Sequence, residues 1–210
     1  MEGTTTPDQR RAAGLETRTR LVDAALDLLA QRGEEGVTLR EVTGAACANV
    51  SAVSYHFGSL QACFDEAIEH ALESYLDAQQ ESVSALPSEA NLDELAAAFA
   101  RPMIRALAAG GRDLAVMRIV ARAGIDPPQG WERLSGRFER IRADVRRVLK
   151  VNLPDVTSQE LTFRIRCVAG LLNWLVLAPV GAELRNKPQK QVERLLVPLL
   201  AGTFRGSSSG

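Results

Sequence analysis

Residues 38–59, TLREVTGAACANVSAVSYHFGS, show the pattern of two short helices joined by a tight turn. Thr38 followed three residues later by Glu41 predicts a capping box, in which the two side chains satisfy backbone N–H groups that a helix start leaves unpaired. The next apolar residues share one helical face: Leu39, Val42, Ala45 and Ala46. This face predicts a first helix of about two turns that packs against other apolar surface.

A second short helix is expected after the break at residues 47–49. Asn49 is a favourable N-cap, and the helix is predicted to extend to Phe57. Val53 and Phe57 stand four residues apart and are expected to face inward. The opposite side carries small, polar and aromatic residues: Val50, Ser51, Ser54 and Tyr55. Two such helices predict a helix-turn-helix, whose second helix enters a DNA major groove about 12 Å wide.

The composition favours a helical protein with its own core. A chain of 210 residues is long enough for one large domain, or for a small and a larger one, without disulfides. Ala, Leu, Arg and Glu dominate and aromatic residues are few, which favours an all-α fold. The net charge of −1 does not favour a polyanionic partner. The three cysteines, Cys47, Cys63 and Cys167, are expected to be buried reduced thiols in the cytosol.

The chain is expected to begin with a disordered polar arm at residues 1–13, without a signal peptide. The first arginines suit either DNA phosphates or simple solubility, and the sequence leaves both open: Arg10, Arg11, Arg18 and Arg20. Residues 15–32 predict an amphipathic helix that Gly33 ends. Its apolar stripe is expected to brace the two short helices: Leu21, Val22, Ala25, Leu28 and Leu29.

Three segments of residues 21–64, LVDAALDLLAQRG, VTLREV and SYHFGS, occur in the order and at the separations typical of one protein family. Over about its first third, the chain resembles the N-terminal DNA-binding domain of the TetR family of bacterial transcriptional regulators. The resemblance implies that the remaining helical part binds a ligand and forms a dimer. In the family, a long helix links the DNA-reading domain to this regulatory body.

We expect an all-α chain of about nine helices, with an N-terminal three-helix helix-turn-helix domain and a helical C-terminal ligand-binding and dimerisation domain. The predicted segments are a disordered arm at 1–13, the DNA-binding domain at 14–58, the regulatory and dimerisation domain at 59–204 and a flexible tail at 205–210.

Further helix signals lie in the second part of the chain. Asn91 with Glu94, and Thr157 with Glu160, predict two capping boxes. Pro102 lies inside a helical pattern and is expected to kink or divide that helix.

The last two helices carry more apolar surface than one subunit needs to cover. Residues 167–180, CVAGLLNWLVLAPV, contain one polar side chain, Asn173, and are shorter than the roughly 20 residues of a membrane span. The last helix, at 189–204, has apolar residues on more than one face: Val192, Leu195, Leu196, Leu199 and Leu200. This excess predicts a two-fold homodimer, and in the family the last two long helices pair as a four-helix interface.

The predicted DNA-binding residues lie in and just before the two short helices: Thr38, Asn49, Val50, Ser51, Ala52, Ser54, Tyr55 and His56. Hydroxyl groups and helix-start N–H groups suit phosphates, and small apolar side chains suit a thymine methyl. Some of these residues have competing structural roles. Asn49 is a cap first, His56 is more commonly a packing residue, and Tyr55 has the alternative of packing against the first helix.

Three positions depart from the family pattern. Cys47 stands where a turn glycine is common, Ser54 where a tyrosine is usual, and Leu60 where a phosphate-binding lysine is common. Residues 1–60 also contain six arginines, no lysine and eight acidic residues. Because DNA affinity depends heavily on phosphate neutralisation, we expect weaker and less salt-sensitive binding than a basic reading domain gives.

The regulatory body is expected to hold a cavity between the long linker helix and the helices after it. The candidate ligand-binding residues are Phe99, Met103, Met117, Phe138, Cys167, Leu171 and Trp174, and core packing is the alternative for each. The two histidines, His56 and His70, belong to no metal-ligand spacing or catalytic motif. We therefore expect no enzyme activity, no metal and no cofactor.

These observations and the resemblance predict a cytoplasmic, homodimeric regulator, expected to be a repressor, that binds a palindromic DNA operator and no membrane. A small apolar or amphipathic effector is expected to release the DNA by shifting the population of conformations. The alternative is a helical interaction or ligand-binding protein of the same fold whose sequence-specific DNA binding is weak or lost. Leu60 and the acidic reading domain suggest that alternative.

Overall fold

The structure is a computed structural model that describes residues 7–127 and 131–206. The description leaves out the side chains of Pro7, Arg10, Trp131, Glu132 and Ser135. Within it the chain forms ten α-helices and two short 3₁₀ turns and no strand. The all-α prediction is confirmed, with ten helices where about nine were expected. The expectations for residues 1–6 and for the tail at 207–210 lie outside the described residues.

The chain divides into two compact units, Met1–Ala71 and Leu72–Gly210. The division falls within one continuous helix, whereas the sequence suggested a boundary at residues 58 and 59. The N-terminal unit contains α1 (Pro7–Arg32), α2 (Leu39–Ala45), α3 (Ser51–Phe57) and the first part of α4 (Leu60–Ser84). A 3₁₀ turn, Glu34–Gly36, connects α1 to α2.

Helix α1 braces the two short helices, because both α2 and α3 contact it. The predicted stripe on α1 is buried except for the half-buried Leu28, and Val42 of α2 and Val53 of α3 are buried as well. Two details differ from the predicted inward faces. Ala45 is exposed at the end of α2, and Phe57 is only half-buried. Thr43 is buried instead, and its hydroxyl donates to the carbonyl oxygen of Leu39 at 2.9 Å.

Helix α1 begins at Pro7, so residues 7–13 are helical rather than disordered. Proline suits the first position of a helix, because its fixed φ is helical and the N–H that it lacks would be unpaired there anyway. Asp8 in the first turn also interacts favourably with the helix dipole. The favourable helix start at Pro7 and Asp8 outweighs the polarity of the segment, which had suggested a disordered arm.

The C-terminal unit contains the rest of α4 and six further helices. They are α5 (Leu92–Ala109), α6 (Gly111–Ala123), α7 (Ser135–Asn152), α8 (Ser158–Leu177), α9 (Pro179–Arg185) and α10 (Gln189–Arg205), with a 3₁₀ turn, Trp131–Leu134, before α7. Helix α5 is central, because α6, α7, α8, α9 and α10 all contact it. It continues through Pro102, so the proline does not divide it.

The helix caps agree largely with the sequence. Asn91 and Glu94 form the predicted reciprocal capping box, with hydrogen bonds of 2.8 and 2.9 Å. At the start of α8 only half of the predicted box forms. The Thr157 hydroxyl accepts the Glu160 N–H at 3.2 Å, whereas the Glu160 carboxylate binds Arg164 one turn later. An arginine on the same helical face thus competes with the backbone for this carboxylate.

The expectation of three buried thiols is wrong for two of them. Cys63 is buried, and burial, together with the charge of Glu66, raises the pKa of its thiol to about 11. Cys47 and Cys167 are exposed. Cys47 lies at the tip of the turn before α3, and Cys167 lies on the open side of α8, so neither meets a covering element within its own unit.

No single helix in the described ranges is long and apolar enough to cross a membrane. Helices α8 and α9 reach the required length and hydropathy only as a pair, and the chain bends by 79° between them.

Gly181 allows α9 to pack closely against α8. A Cβ atom at this position would collide with the main-chain carbonyl oxygen of Leu175. Because a backbone atom cannot rotate away, we expect G181A to lower the free energy of unfolding by about 1–3 kcal/mol in urea titrations. The control is G136A in α7, where nothing lies within 4 Å of an added Cβ. That variant should be up to about 1 kcal/mol more stable. Equal shifts in the two variants would contradict the packing argument.

Candidate nucleic-acid interface and ligand cavity

The start of α2 is fixed by the predicted capping box. The Thr38 N–H donates to Glu41 Oε2 at 2.8 Å, and the Glu41 N–H donates to the Thr38 hydroxyl at 3.4 Å. Arg32 at the end of α1 donates to the other carboxylate oxygen of Glu41 at 2.7 Å. The Thr38 hydroxyl and the Arg32 guanidinium together hold the pKa of Glu41 at about 2, so this carboxylate is ionised at neutral pH. Both polar groups of Thr38 therefore serve the cap.

The turn between α2 and α3 contains a strained residue. Cys47 has a φ of 50°, and it is the one residue other than glycine with positive φ among the described residues. For an amino acid with a Cβ atom this conformation costs about 1–2 kcal/mol. The strain falls where the sequence departs from the glycine common in the TetR family.

Helix α3 starts one residue later than predicted, at Ser51, with Val50 rather than Asn49 in the capping position. Asn49 still caps it through the side chain, because Asn49 Oδ1 accepts from the Ser51 N–H and from the Ser51 hydroxyl, both at 3.0 Å. The structure thus gives Asn49 the structural role that the sequence favoured.

One edge of α3 is open to solvent. Val50, Ser51, Ser54 and Tyr55 are all exposed, and Tyr55 has 84% of its surface accessible. Within the described part of the chain, the hydroxyl groups of Ser54 and Tyr55 have no hydrogen-bond partner. Ala52 and His56 are half-buried. The His56 ring packs edge-on against Tyr55, with ring centroids 4.9 Å apart.

The arginines of the N-terminal unit divide into engaged and available groups. Arg18 pairs with Glu66 and lies 4.9 Å above the Phe57 ring, and Arg32 is held by Glu41. The exposed arginines that form no ion pair with the residues described are Arg11, Arg20 and Arg40. The sequence analysis did not include Arg40, in the first turn of α2, among the DNA-binding candidates. A basic residue at the start of a helix-turn-helix could have indicated a phosphate contact. Leu60 is half-buried and offers no phosphate-binding group.

The C-terminal unit holds a cavity of 210 Å³ between α4, α5 and α6. Its lining residues are Ser74, Tyr75, Ala78, Ser82, Pro102, Arg105, Ala106, Asp113, Val116 and Met117. Tyr75 is half-buried in this lining, and desolvation by the surrounding protein raises the pKa of its phenol to about 12.

Of the candidate ligand-binding residues, the structure places Met117 alone in the lining of this cavity. Phe99 and Met103 are buried, and the Phe99 ring packs edge-on against Phe204 at 6.0 Å. Phe138 and Leu171 are half-buried. Cys167 and Trp174 face outward from α8 and line no part of this cavity. Sequence reasoning selected large apolar side chains, whereas half of the lining is polar or charged.

The fold and the open edge of α3 define a helix-turn-helix protein with a second, helical unit. Residues 21–67 match the family described as "Bacterial regulatory proteins, tetR family". Residues 97–202, more than half of the chain, match the "Tetracyclin repressor-like, C-terminal domain". The chain belongs to the TetR family, and it is a transcriptional regulator rather than an enzyme.

Solved structures of similar fold agree with this assignment. The TetR family regulator PfmR from Thermus thermophilus has a TM-score of 0.62 at 17% identity, covering 92% of this chain and 98% of its own. A putative TetR-family regulator from Mesorhizobium loti has a TM-score of 0.59 at 17% identity, covering 91% and 96%. A transcriptional regulator from Rhodococcus sp. Rha1 has a TM-score of 0.55 at 22% identity, covering 90% and 96%. At these identities the likeness shows the fold alone. A search of curated proteins gives no significant match.

The strain at Cys47 predicts that a glycine there stabilises the protein. C47G removes a cost of about 1–2 kcal/mol but adds about 0.5–1 kcal/mol of chain entropy to the unfolded state. We expect a net gain of about 0.5–1 kcal/mol in urea unfolding. C47A is the matched control, because it removes the thiol and keeps the Cβ atom. If C47A stabilises as much as C47G, backbone strain is not the cause.

Proposed function

We propose that this regulator is a cytoplasmic homodimeric repressor that binds a palindromic operator and releases it when a small molecule occupies the cavity of the C-terminal unit. The observation that carries the DNA-binding part is the open edge of α3. Val50, Ser51, Ser54 and Tyr55 are exposed there on a helix that α1 and α2 hold in place. Ser54 and Tyr55 offer hydroxyl groups to phosphates or base edges, and Val50 offers apolar contact to a thymine methyl.

The phosphate contacts proposed for this site are few. Arg40 flanks α3 on the neighbouring helix α2, and its guanidinium is exposed and unpaired within the described residues. Arg11 and Arg20 are the other available charges. Since the counterion contribution to affinity grows with the number of phosphates neutralised, the proposal includes modest salt dependence.

The proposed dimer interface is an apolar face on α8 and α10, two helices that contact each other. Phe163, Cys167, Gly170 and Trp174 follow one another along α8 at helical spacing and are all exposed. Leu195 and Leu199 extend this face on α10, each with 51% of its surface accessible. A second copy related by a two-fold axis would bury both strips, because each strip then meets its own equivalent.

The proposed release mechanism runs through α4. This helix begins directly after the turn that follows α3, and its Tyr75, Ala78 and Ser82 line the cavity. A ligand that fits the cavity better in one position of α4 shifts the population toward that position. The two reading helices of the dimer would then no longer match successive major grooves.

The DNA-binding proposal is tested by gel shift with the DNA upstream of the protein's own gene, at two salt concentrations. We expect binding at low salt that weakens as salt rises. An absence of binding even at low salt would favour the alternative of an interaction or ligand-binding protein of the same fold.

The role of Arg40 predicts a specific change in this salt dependence. R40Q removes one phosphate contact from each protomer, so the slope of log K against log salt should become shallower by about 2 for the dimer. The matched control is R32Q, because the Arg32 guanidinium is already held by Glu41. A slope that R32Q changes as much as R40Q would contradict a specific role for Arg40.

The dimer proposal predicts that W174E produces monomers in sedimentation experiments. The two-fold axis places the new charge twice, at the position of the largest exposed side chain of the face. At a cost of about 2 kcal/mol for each copy, the dissociation constant of the dimer should rise about 1000-fold. The control is L15E, which alters an exposed apolar residue of the N-terminal unit. An unchanged dimer in W174E would exclude this face as the interface.

A further inference from the structure

We propose that Arg18 is a positioning residue for α3: it holds the end of this helix against α1 and the start of α4, and so sets operator affinity without touching DNA. This inference rests on the proposed function in one respect, that the exposed edge of α3 binds an operator. It adds the side chain that fixes the orientation of this edge. All the groups involved lie in the N-terminal unit, because Glu66 belongs to the first part of α4.

The Arg18 side chain connects three helices. Its two terminal nitrogen atoms donate to the two carboxylate oxygens of Glu66, one hydrogen bond each. Its guanidinium carbon lies 4.9 Å from the centre of the Phe57 ring, at the C-terminal end of α3. A planar guanidinium can make both contacts at once, because its edge carries the N–H groups and its face is attracted to an aromatic ring.

The ion pair lies about one helical turn from a buried contact between α1 and α4. Leu21 of α1 and Cys63 of α4 are fully buried, and the Cys63 sulfur lies 4.0 Å from the Leu21 carbonyl oxygen. The charge of Glu66 raises the pKa of the Cys63 thiol and the charge of Arg18 lowers it, so both charged groups lie close to this contact. The arginine and glutamate side chains are 40% and 32% exposed, so water screens their pair only in part.

The connection from α3 to α4 is short and contains a glycine. Gly58 and Ser59 alone separate the two helices, and Gly58 has a φ of 82°, in a region that glycine adopts freely. Phe57, the last residue of α3, is only half-buried. Because Arg18 contacts Phe57 before this turn and Glu66 after it, its side chain restricts the angle between α3 and α4.

A restricted helix angle matters for DNA binding. A helix that is already held in its binding orientation loses less conformational freedom when it meets DNA. Removal of the Arg18 bridge should therefore weaken operator binding, although no contact to DNA is removed. The expected loss of affinity is about fivefold, which is the size that a partly exposed ion pair supports.

A direct phosphate contact is the competing role for Arg18. Salt dependence separates the two roles, because only a lost phosphate contact changes the number of counterions that DNA binding releases. R18Q should weaken operator binding and leave the slope of log K against log salt unchanged. A slope that becomes shallower by about 2 for the dimer would overturn the proposal.

E66Q tests the bridge from its other end, and the sign of its effect is informative. Removal of a negative charge from a DNA-binding unit favours binding by electrostatics alone. The positioning role predicts the opposite, a loss of about fivefold, because the neutral amide no longer pairs with Arg18. E66Q also keeps the shape of the side chain, so it tests the bridge even if R18Q folds poorly.

The matched control is E16Q. Glu16 is exposed on α1, two residues from Arg18, and forms no ion pair with the residues that the structure describes. E16Q removes the same charge and leaves the bridge intact, so it should bind the operator at least as tightly as the wild-type protein. Binding of E66Q as tight as that of E16Q would overturn the proposal.

Hydrogen exchange reports the fixing of α3 without DNA. In R18Q and E66Q the amide groups of α3 should exchange severalfold faster than in the wild-type protein, whereas those of α2 should keep their rates. Unchanged exchange in α3 would overturn the role of Arg18 and leave the regulator standing. Wild-type protein that binds no DNA at low salt would refute the regulator, and exchange would still decide whether Arg18 fixes α3.

Discussion

The exposed edge of α3, which is the candidate nucleic-acid interface, depends on the packing of two short helices, α2 and α3, against the longer α1. Helices α2 and α3 have seven residues each, too few to be stable alone in water, because helix nucleation is unfavourable. Both contact α1, and the buried Val42 and Val53 join its apolar stripe. This packing lets α3 present a fully exposed polar edge while its opposite side stays fixed. The exposed edge therefore takes no part in the contacts that hold α3 against α1 and α2.

Charged side chains of the N-terminal unit have a structural use. Arg18 and Arg32 are engaged by Glu66 and Glu41, the second of which also closes the capping box of α2. Exposed ion pairs of this kind contribute at most about 1 kcal/mol each, but they occupy guanidinium groups that would otherwise be available to a phosphate. In the proposed DNA complex this unit relies on the exposed hydroxyl groups of α3 and on Arg11, Arg20 and Arg40.

The C-terminal unit has two open features, an apolar face on α8 and α10 and a cavity beside α4. Trp174 and Leu199 expose large apolar surfaces, whereas the lining of the cavity mixes polar and apolar residues. The two features suit different partners. A second copy suits the first, and a small molecule suits the second.

The sequence by itself determined the all-α fold, the capping boxes at Thr38 and Asn91, and the grouping of small, polar and aromatic residues on one side of α3, because these follow from local spacing and side-chain chemistry. Tertiary structure alone decided the rest. A helical pattern shows that Cys167 and Trp174 share a face, but not whether a neighbouring helix covers it. The cavity likewise depends on which sides of α4, α5 and α6 meet, so its polar lining residues, Tyr75, Ser82 and Arg105, carried no signal in the sequence. Local periodicity shows which residues share a helix face, but contacts between distant parts of the chain decide which faces are buried.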